Sequence, residues 1–313
     1  MKREIKKIIS LCLFAALFTL TMCFSASVLP AKAATVSGSS RSSVSSSAQK
    51  KNLKKTVQDT AEVPEGPVNI VFLGDSNYSF GRESKNSVPE QTQIIMNGFF
   101  GRSARVYNLS IGGTTACMLP GANKLNETYD PAYLAKMNGI CLVNLVNILT
   151  GKAAADPLYT EAAGVDYTQF TQENPSVDWF VLGYGTNDYN GGVLATGRSA
   201  SKNTYESALR YSVMRLKKYY PKAKILLCAP IPNINAAAGW NGDLVDKGGG
   251  TLDRYADVCL DVAEETGVYS LDSHRNLGIN TATAVDYLAD GCHLNCAGRW
   301  IYALYISNSI VNN

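Results

Sequence analysis

The sequence predicts a three-layer, doubly wound α/β domain on a five-stranded parallel sheet, and three observations carry that prediction. From Pro67 onward, five short runs rich in apolar and β-branched residues recur. The runs are mostly continuous rather than alternating, which suits strands covered on both faces. Stretches with helical periodicity and recognisable caps separate them, the pattern of βαβ units.

The strand runs are residues 68–73, 105–109, 178–184, 224–229 and 268–271. After the first, Ser87-Val88-Pro89-Glu90 reads as a capping box with proline in the first turn and predicts a helix toward Phe100. Residues 131–149 read as one long apolar helix ended at Gly151. Residues 203–220 open with an Asn203-x-x-Glu206 cap, place Leu209, Val213 and Leu216 on one face and stop before Pro221. A helix over 252–266 ends at Gly267, and one over 297–310 closes the chain. The connection 118–176 is long, and part of it is expected to cover the site. The Ala- and Gly-rich stretch 233–250, with Trp240, is a second candidate flap.

The domain is expected to occupy residues 67–313. Residues 1–33 read as a secretory signal peptide: Lys2, Arg3, Lys6 and Lys7 precede an apolar run from Ile8 to Phe24, and Ala31-Lys32-Ala33 supplies small residues for cleavage. The rival reading is a retained membrane anchor, but the run is short and carries polar residues. Residues 34–66, Ser- and Lys-rich with little to bury, read as a poorly ordered linker. The expected location is therefore extracellular, with cell-wall association and no membrane span after cleavage.

Of 29 Lys and Arg and 26 Asp and Glu, residues 1–33 hold five basic residues and Glu4. The remainder carries 24 against 25, a net of −1, so the basic balance belongs to the leader and no nucleic-acid partner is expected. Six of the eight cysteines follow the leader: Cys117, Cys141, Cys228, Cys259, Cys292 and Cys296. An even number in an exported chain permits disulfides in fifteen full pairings, while Cys228 and Cys259 sit in apolar patterns that suit buried thiols.

In doubly wound sheets ligands bind beyond the carboxyl ends of the strands. The first strand runs into Gly74-Asp75-Ser76-Asn77, a turn able to expose a serine hydroxyl. The second ends in Asn108-Leu109-Ser110-Ile111-Gly112-Gly113-Thr114, where two glycines let the backbone approach a ligand. The third ends in Gly185-Thr186-Asn187-Asp188, and Asn187 offers a side-chain N–H to an oxyanion. Each is also an ordinary turn composition. The chain has only two histidines, His274 and His293. His293 follows Asp290 by three residues across a glycine, so the carboxylate can fold back to Nδ1 and fix the tautomer. His274, in Asp272-Ser273-His274-Arg275, fits a surface loop.

Taken together, four motifs in order resemble those of the SGNH/GDSL hydrolases, flavodoxin-like serine esterases and lipases. Gly74-Asp75-Ser76, Asn108 to Gly113, Gly185-Thr186-Asn187-Asp188 and Asp290 to His293 carry the resemblance, which spans nearly all of 67–313. It implies a triad of Ser76, His293 and Asp290. It also implies an oxyanion hole made by the amides of Ser76 and Gly113 and the Asn187 side chain, with no cofactor. Ser110 stands where the family commonly has glycine, and Gly112 precedes the expected Gly113, so the donating glycine stays open between them. Cys292-His293-x-x-Cys296 offers three zinc ligands without a second pair, and a disulfide there would brace the loop. The expected substrate is an ester, by preference an O-acetyl group on carbohydrate or cell-wall polysaccharide. Tyr184, Tyr189, Trp240 and Asn190-Gly191-Gly192 are expected near the mouth, and sugars pack on aromatic faces. A lipase or lysophospholipase is the enzymatic alternative, and a non-catalytic cell-surface binding module the alternative of another class.

Overall fold

Successive strand residues point to opposite faces, and here both faces are apolar, so the sheet must be buried between two layers of helices. The computed structural model describes residues 66–119, 130–155 and 157–313. The expected leader and, apart from Gly66, the expected linker lie outside the described residues.

In chain order the elements are β1 (Val68–Gly74), α1 (Ser76–Ser79), α2 (Val88–Gly98), β2 (Ala104–Asn108), α3 (Pro131–Ile140), α4 (Leu142–Leu149) and α5 (Pro157–Glu173). Then come β3 (Trp179–Gly183), α6 (Thr186–Asn190), α7 (Tyr205–Tyr219), β4 (Lys224–Cys228), β5 (Ile234–Asn235) and β6 (Trp240–Asn241). A 3-10 turn (Gly242–Leu244), α8 (Leu252–Thr266), β7 (Tyr269–Leu271), α9 (Ser273–Asn276), α10 (Ala284–Tyr287) and α11 (Cys296–Val311) complete the chain.

The five main strands are parallel in the order β2-β1-β3-β4-β7, while β5 and β6 form a separate antiparallel hairpin. The order reverses direction at β1, which puts the switch point between β1 and β3. Their register pairs Gly74 with Gly183, so the two exits are level and the turns that follow are neighbours. Ile70 and Phe72 pack with Val181 and Leu226 beneath α2 and α11, where Ile95, Met96 and Ile306 are buried. Val71 and Leu73 pack on the other face with Phe180 and Leu227, beneath α4, α7 and α8.

All five strands fall within a residue or so of their expected positions. The expected single helix over 131–149 is two helices, bent by 48° at Cys141, whose backbone is extended. The cause is a competing set of acceptors. The Leu142 and Val143 amides donate to Thr115 and Ala116 carbonyls at 3.0 and 3.3 Å, which ends one helix and starts the next. The described part of 118–176 is a helical layer rather than a lid: Leu134, Met137, Ile140, Leu145 and Phe170 are buried in the main core. The cap of α7 is Thr204, paired reciprocally with Ser207, and not Asn203; Glu206 instead accepts the Gly197 amide at 2.8 Å. Gly267 ends α8 in the left-handed conformation as expected.

Candidate active site

The turn that carries Ser76 is built by a ring that needs glycine neighbours. Tyr78 is fully buried against Phe72 and Tyr302, with ring centroids 5.3 and 5.6 Å apart. A Cβ on Gly74 or Gly183, at the ends of β1 and β3, would run into that ring. With glycine at both sites Tyr78 slots under the strand ends and α1 begins at Ser76. Asp75 is the N-cap, its Oδ1 accepting the Asn77 amide at 2.9 Å.

The second motif meets this turn from β2. The Ile111 amide donates to the Gly74 carbonyl at 2.9 Å. The Asn108 side-chain amide donates to the Tyr78 carbonyl at 3.1 Å and to Ser87 Oγ at 3.2 Å. Gly112 lies against the serine: a Cβ there would sit 3.7 Å from Ser76 Cβ and 3.5 Å from Ser79 Oγ. Gly113, with φ +76°, faces open space. The Asn187 side-chain amide donates to the Thr114 carbonyl at 2.9 Å, which brings the third motif onto the second. One hydrogen satisfies that carbonyl and leaves the other free.

His293 and Asp290 lie just before α11. Asp290 Oδ1 accepts the Cys292 and His293 amides at 2.9 and 2.8 Å, curling the loop back on itself. Its Oδ2 accepts the His293 Nδ1–H at 2.7 Å, which leaves Nε2 to accept the Ser76 hydroxyl at 2.9 Å. Burial pushes Asp290 up, but the His293 ring and the two amides outweigh it and hold the carboxyl below the usual range. The three side chains thus form one hydrogen-bonded line.

Two further carboxyls are fully buried. Burial first, and the charge of Asp188 with it, push Asp75 up to about 7 against the pull of the Asn77 amide. Asp188 is also raised by burial, although it accepts the Ala116 and Cys117 amides at 2.9 and 3.1 Å.

Several side chains at this site carry no sequence signal. Phe80 is 50% exposed and stacks on the His293 ring, centroids 5.3 Å apart and planes 18° apart. Asn77 Oδ1 accepts the Leu294 amide at 3.3 Å, tying the Ser76 turn to the His293 loop. Other expectations are corrected. Tyr184 and Tyr189 are core residues, 3% and 0% exposed, and only half-buried Trp240 of the expected aromatics reaches the surface. His274 is buried and does not lie on a surface loop. All six described cysteines are free thiols; Cys117, Cys141, Cys228 and Cys259 are buried, and Cys296 Sγ accepts from Asn86 at 3.4 Å. No disulfide therefore braces the Asp290–His293 loop.

A family model for GDSL-like lipases and acylhydrolases matches residues 72–301. Among solved structures, a Lactobacillus plantarum protein is similar at 19% identity and a TM-score of 0.51, covering 79% of this chain and 98% of that one. A Chitinophaga pinensis structure described as a possible lipase matches at 14% identity and a TM-score of 0.50, covering 78% and 98%. At these identities the likeness is one of fold. No curated protein matches the chain. With the family model spanning all four motifs, the chain belongs to the GDSL-like lipase/acylhydrolase family, whose members are esterases and lipases.

Proposed function

We propose that the chain is a secreted serine esterase in which Ser76 attacks the ester, His293 is the base, Asp290 orients it, and the substrate is an O-acetylated carbohydrate. The observation that carries this reading is the continuous line from Ser76 Oγ through His293 to Asp290, at 2.9 and 2.7 Å. As Oγ bonds to the ester carbonyl carbon, its proton passes to Nε2, and the imidazolium is held by Asp290. The tetrahedral oxyanion is received by the amides of Ser76 and Gly113 and the free Asn187 N–H. Collapse breaks the C–O bond, and His293 returns the proton to the leaving alcohol. Water then repeats the sequence on the acyl-serine and frees the acid.

Gly113 is chosen over Gly112 because Gly113 turns with positive φ beside open space, whereas a Cβ on Gly112 would meet Ser76 and Ser79. The substrate class is supported by the openness of the site. Gly112, Gly113, Phe80 and Asp290 are all exposed, which leaves room for a bulky alcohol, and Phe80 offers an aromatic face beside the base. Export is supported by the basic and apolar N-terminus, and a cell-wall ester is a substrate that an exported enzyme meets.

Hydrolysis of p-nitrophenyl acetate by wild type and Ser76→Ala tests the mechanism; equal rates refute it. Acetylated xylan, acetylated peptidoglycan and acyl esters of increasing length test the substrate. Preference for long acyl chains selects the lipase reading instead.

A further inference from the structure

One buried imidazole holds the segment between β4 and α8 at two points. His274, on α9 and 5% exposed, has Nδ1 3.0 Å from the Pro230 carbonyl oxygen and Nε2 3.0 Å from Asp243 Oδ1. Both partners are acceptors, so each ring nitrogen needs a proton and His274 is an imidazolium. Burial pushes the ring down, but the bonds to Asp243 and Pro230, with the charge of Asp243, outweigh it and raise it above its ordinary value. The nearby charges fit this state. Arg275 opposes it but is itself taken up by Asp257 and Asp272 at 2.6 and 3.2 Å. Asp253 lines the same cleft of about 400 Å³ that the His274–Asp243 pair walls.

The two anchor points bracket the hairpin. Pro230 is where β4 hands the chain toward β5, and Asp243 sits in the turn just after β6. The Gly242 amide closes the base by donating to the Asn233 carbonyl at 2.9 Å. The hairpin then meets the loop of Asp290 and His293. Ile234 donates its amide to the Gly291 carbonyl at 2.8 Å. Gly291, with φ +86°, packs so closely that a Cβ would lie 2.9 Å from Asn235 Cβ and from the Ile234 carbonyl oxygen. The Asp290 side chain itself is 55% exposed, so its place depends on the backbone beneath it.

We propose that His274 and Asp243 form a positioning brace for ester hydrolysis: the doubly protonated ring fixes the β5–β6 hairpin, and the hairpin holds the loop that carries Asp290 and His293. This rests on the Ser76–His293–Asp290 reading of the site. Loss of a ring proton leaves a lone pair facing one of two acceptors, so one anchor is lost and the loop loosens. Asp243→Asn removes that dependence. A neutral ring can then donate from Nδ1 to Pro230 and accept the Asn amide at Nε2, and the brace survives at high pH.

The chain has two histidines, so ring-nitrogen NMR resolves His274 once His293→Gln identifies the other signal. The expected result is a doubly protonated His274 at pH 7 whose midpoint falls on Asp243→Asn. In parallel, kcat and KM for p-nitrophenyl acetate are followed across pH. Wild-type kcat should fall roughly tenfold as His274 loses its proton, with KM nearly constant, because small misplacements of catalytic groups are costly. Asp243→Asn should remove that alkaline fall, and Asp243→Ala should lower kcat at every pH. A singly protonated His274 at pH 7, or pH profiles that coincide for wild type and Asp243→Asn, overturns the brace. If Asp243→Ala does not fold, the isosteric Asp243→Asn comparison still decides. The NMR titration does not depend on turnover, so an active Ser76→Ala refutes the catalytic reading without touching the titration result.

Discussion

Replacing Asp75 by asparagine should stabilise the protein, and only above acidic pH. The Asp75 carboxyl ionises near 3.8 in the unfolded chain and near 7 when folded, because burial and the charge of Asp188 both oppose its ionisation. The folded state therefore binds more protons between those values. Stability contributed by this group is full below pH 3.8 and declines through the window, and all of it is gone above 7. The displacement corresponds to roughly 4 kcal/mol. Asparagine keeps the Oδ1 acceptor for the Asn77 amide at 2.9 Å, so the cap of α1 is retained. Urea unfolding at intervals from pH 4 to pH 9 measures the difference between variant and wild type, in which other titrating groups cancel. The expected curve starts near zero, rises through pH 5 to 7 and levels at about 2–4 kcal/mol in favour of Asp75→Asn. A pH-independent difference, or a variant less stable than wild type at pH 8, would refute the reasoning.

If Asn187 donates to the oxyanion as proposed, Asn187→Ala should lower kcat about 100- to 1000-fold while KM for p-nitrophenyl acetate changes little; a change confined to KM contradicts that role. Gly183→Ala should cost about 1–3 kcal/mol, because the new methyl meets the Tyr78 ring and Tyr78 is wedged between Phe72 and Tyr302. Thermal melting checks it, and an unchanged Tm would mean the ring has room that the structure denies it.

Much of this fold could be read from composition because the central strands are buried on both faces and the strand runs are mostly continuous and apolar. The helix break at Cys141 could not. Residues 131–149 are apolar throughout, and what divides them is a pair of carbonyls on a loop some 25 residues earlier in the chain. The same holds for the cap of α7, where Asn203 is the better cap by type but Thr204, whose hydroxyl also bonds the Gly197 carbonyl, takes the position. At the site, Ser76, Asn187, Asp290 and His293 follow strand ends or precede a helix, and their spacing is local enough to read. Phe80 stacks on a residue more than 200 positions away, and an exposed phenylalanine carries no pattern. The burial of His274 is not legible for a related reason: its partners, Pro230 and Asp243, lie in a segment with no periodicity.

Asp188 shows why a motif contains more residues than its chemistry needs. It is fully buried and bonds to no residue of the Ser76–His293–Asp290 line. Its carboxylate instead accepts the Ala116 and Cys117 amides, while its neighbour Asn187 bonds the Thr114 carbonyl. Two adjacent side chains of α6, just beyond β3, thus clamp the segment that immediately follows Gly113. The clamped segment offers the Thr115 and Ala116 carbonyls to the Leu142 and Val143 amides, where α4 begins. The break in the long apolar helix and the placement of the glycine loop beside Ser76 therefore have one cause. A substitution at Asp188 that spares Asn187 should still displace the Gly113 amide, because the segment just after it would lose two charge-assisted hydrogen bonds.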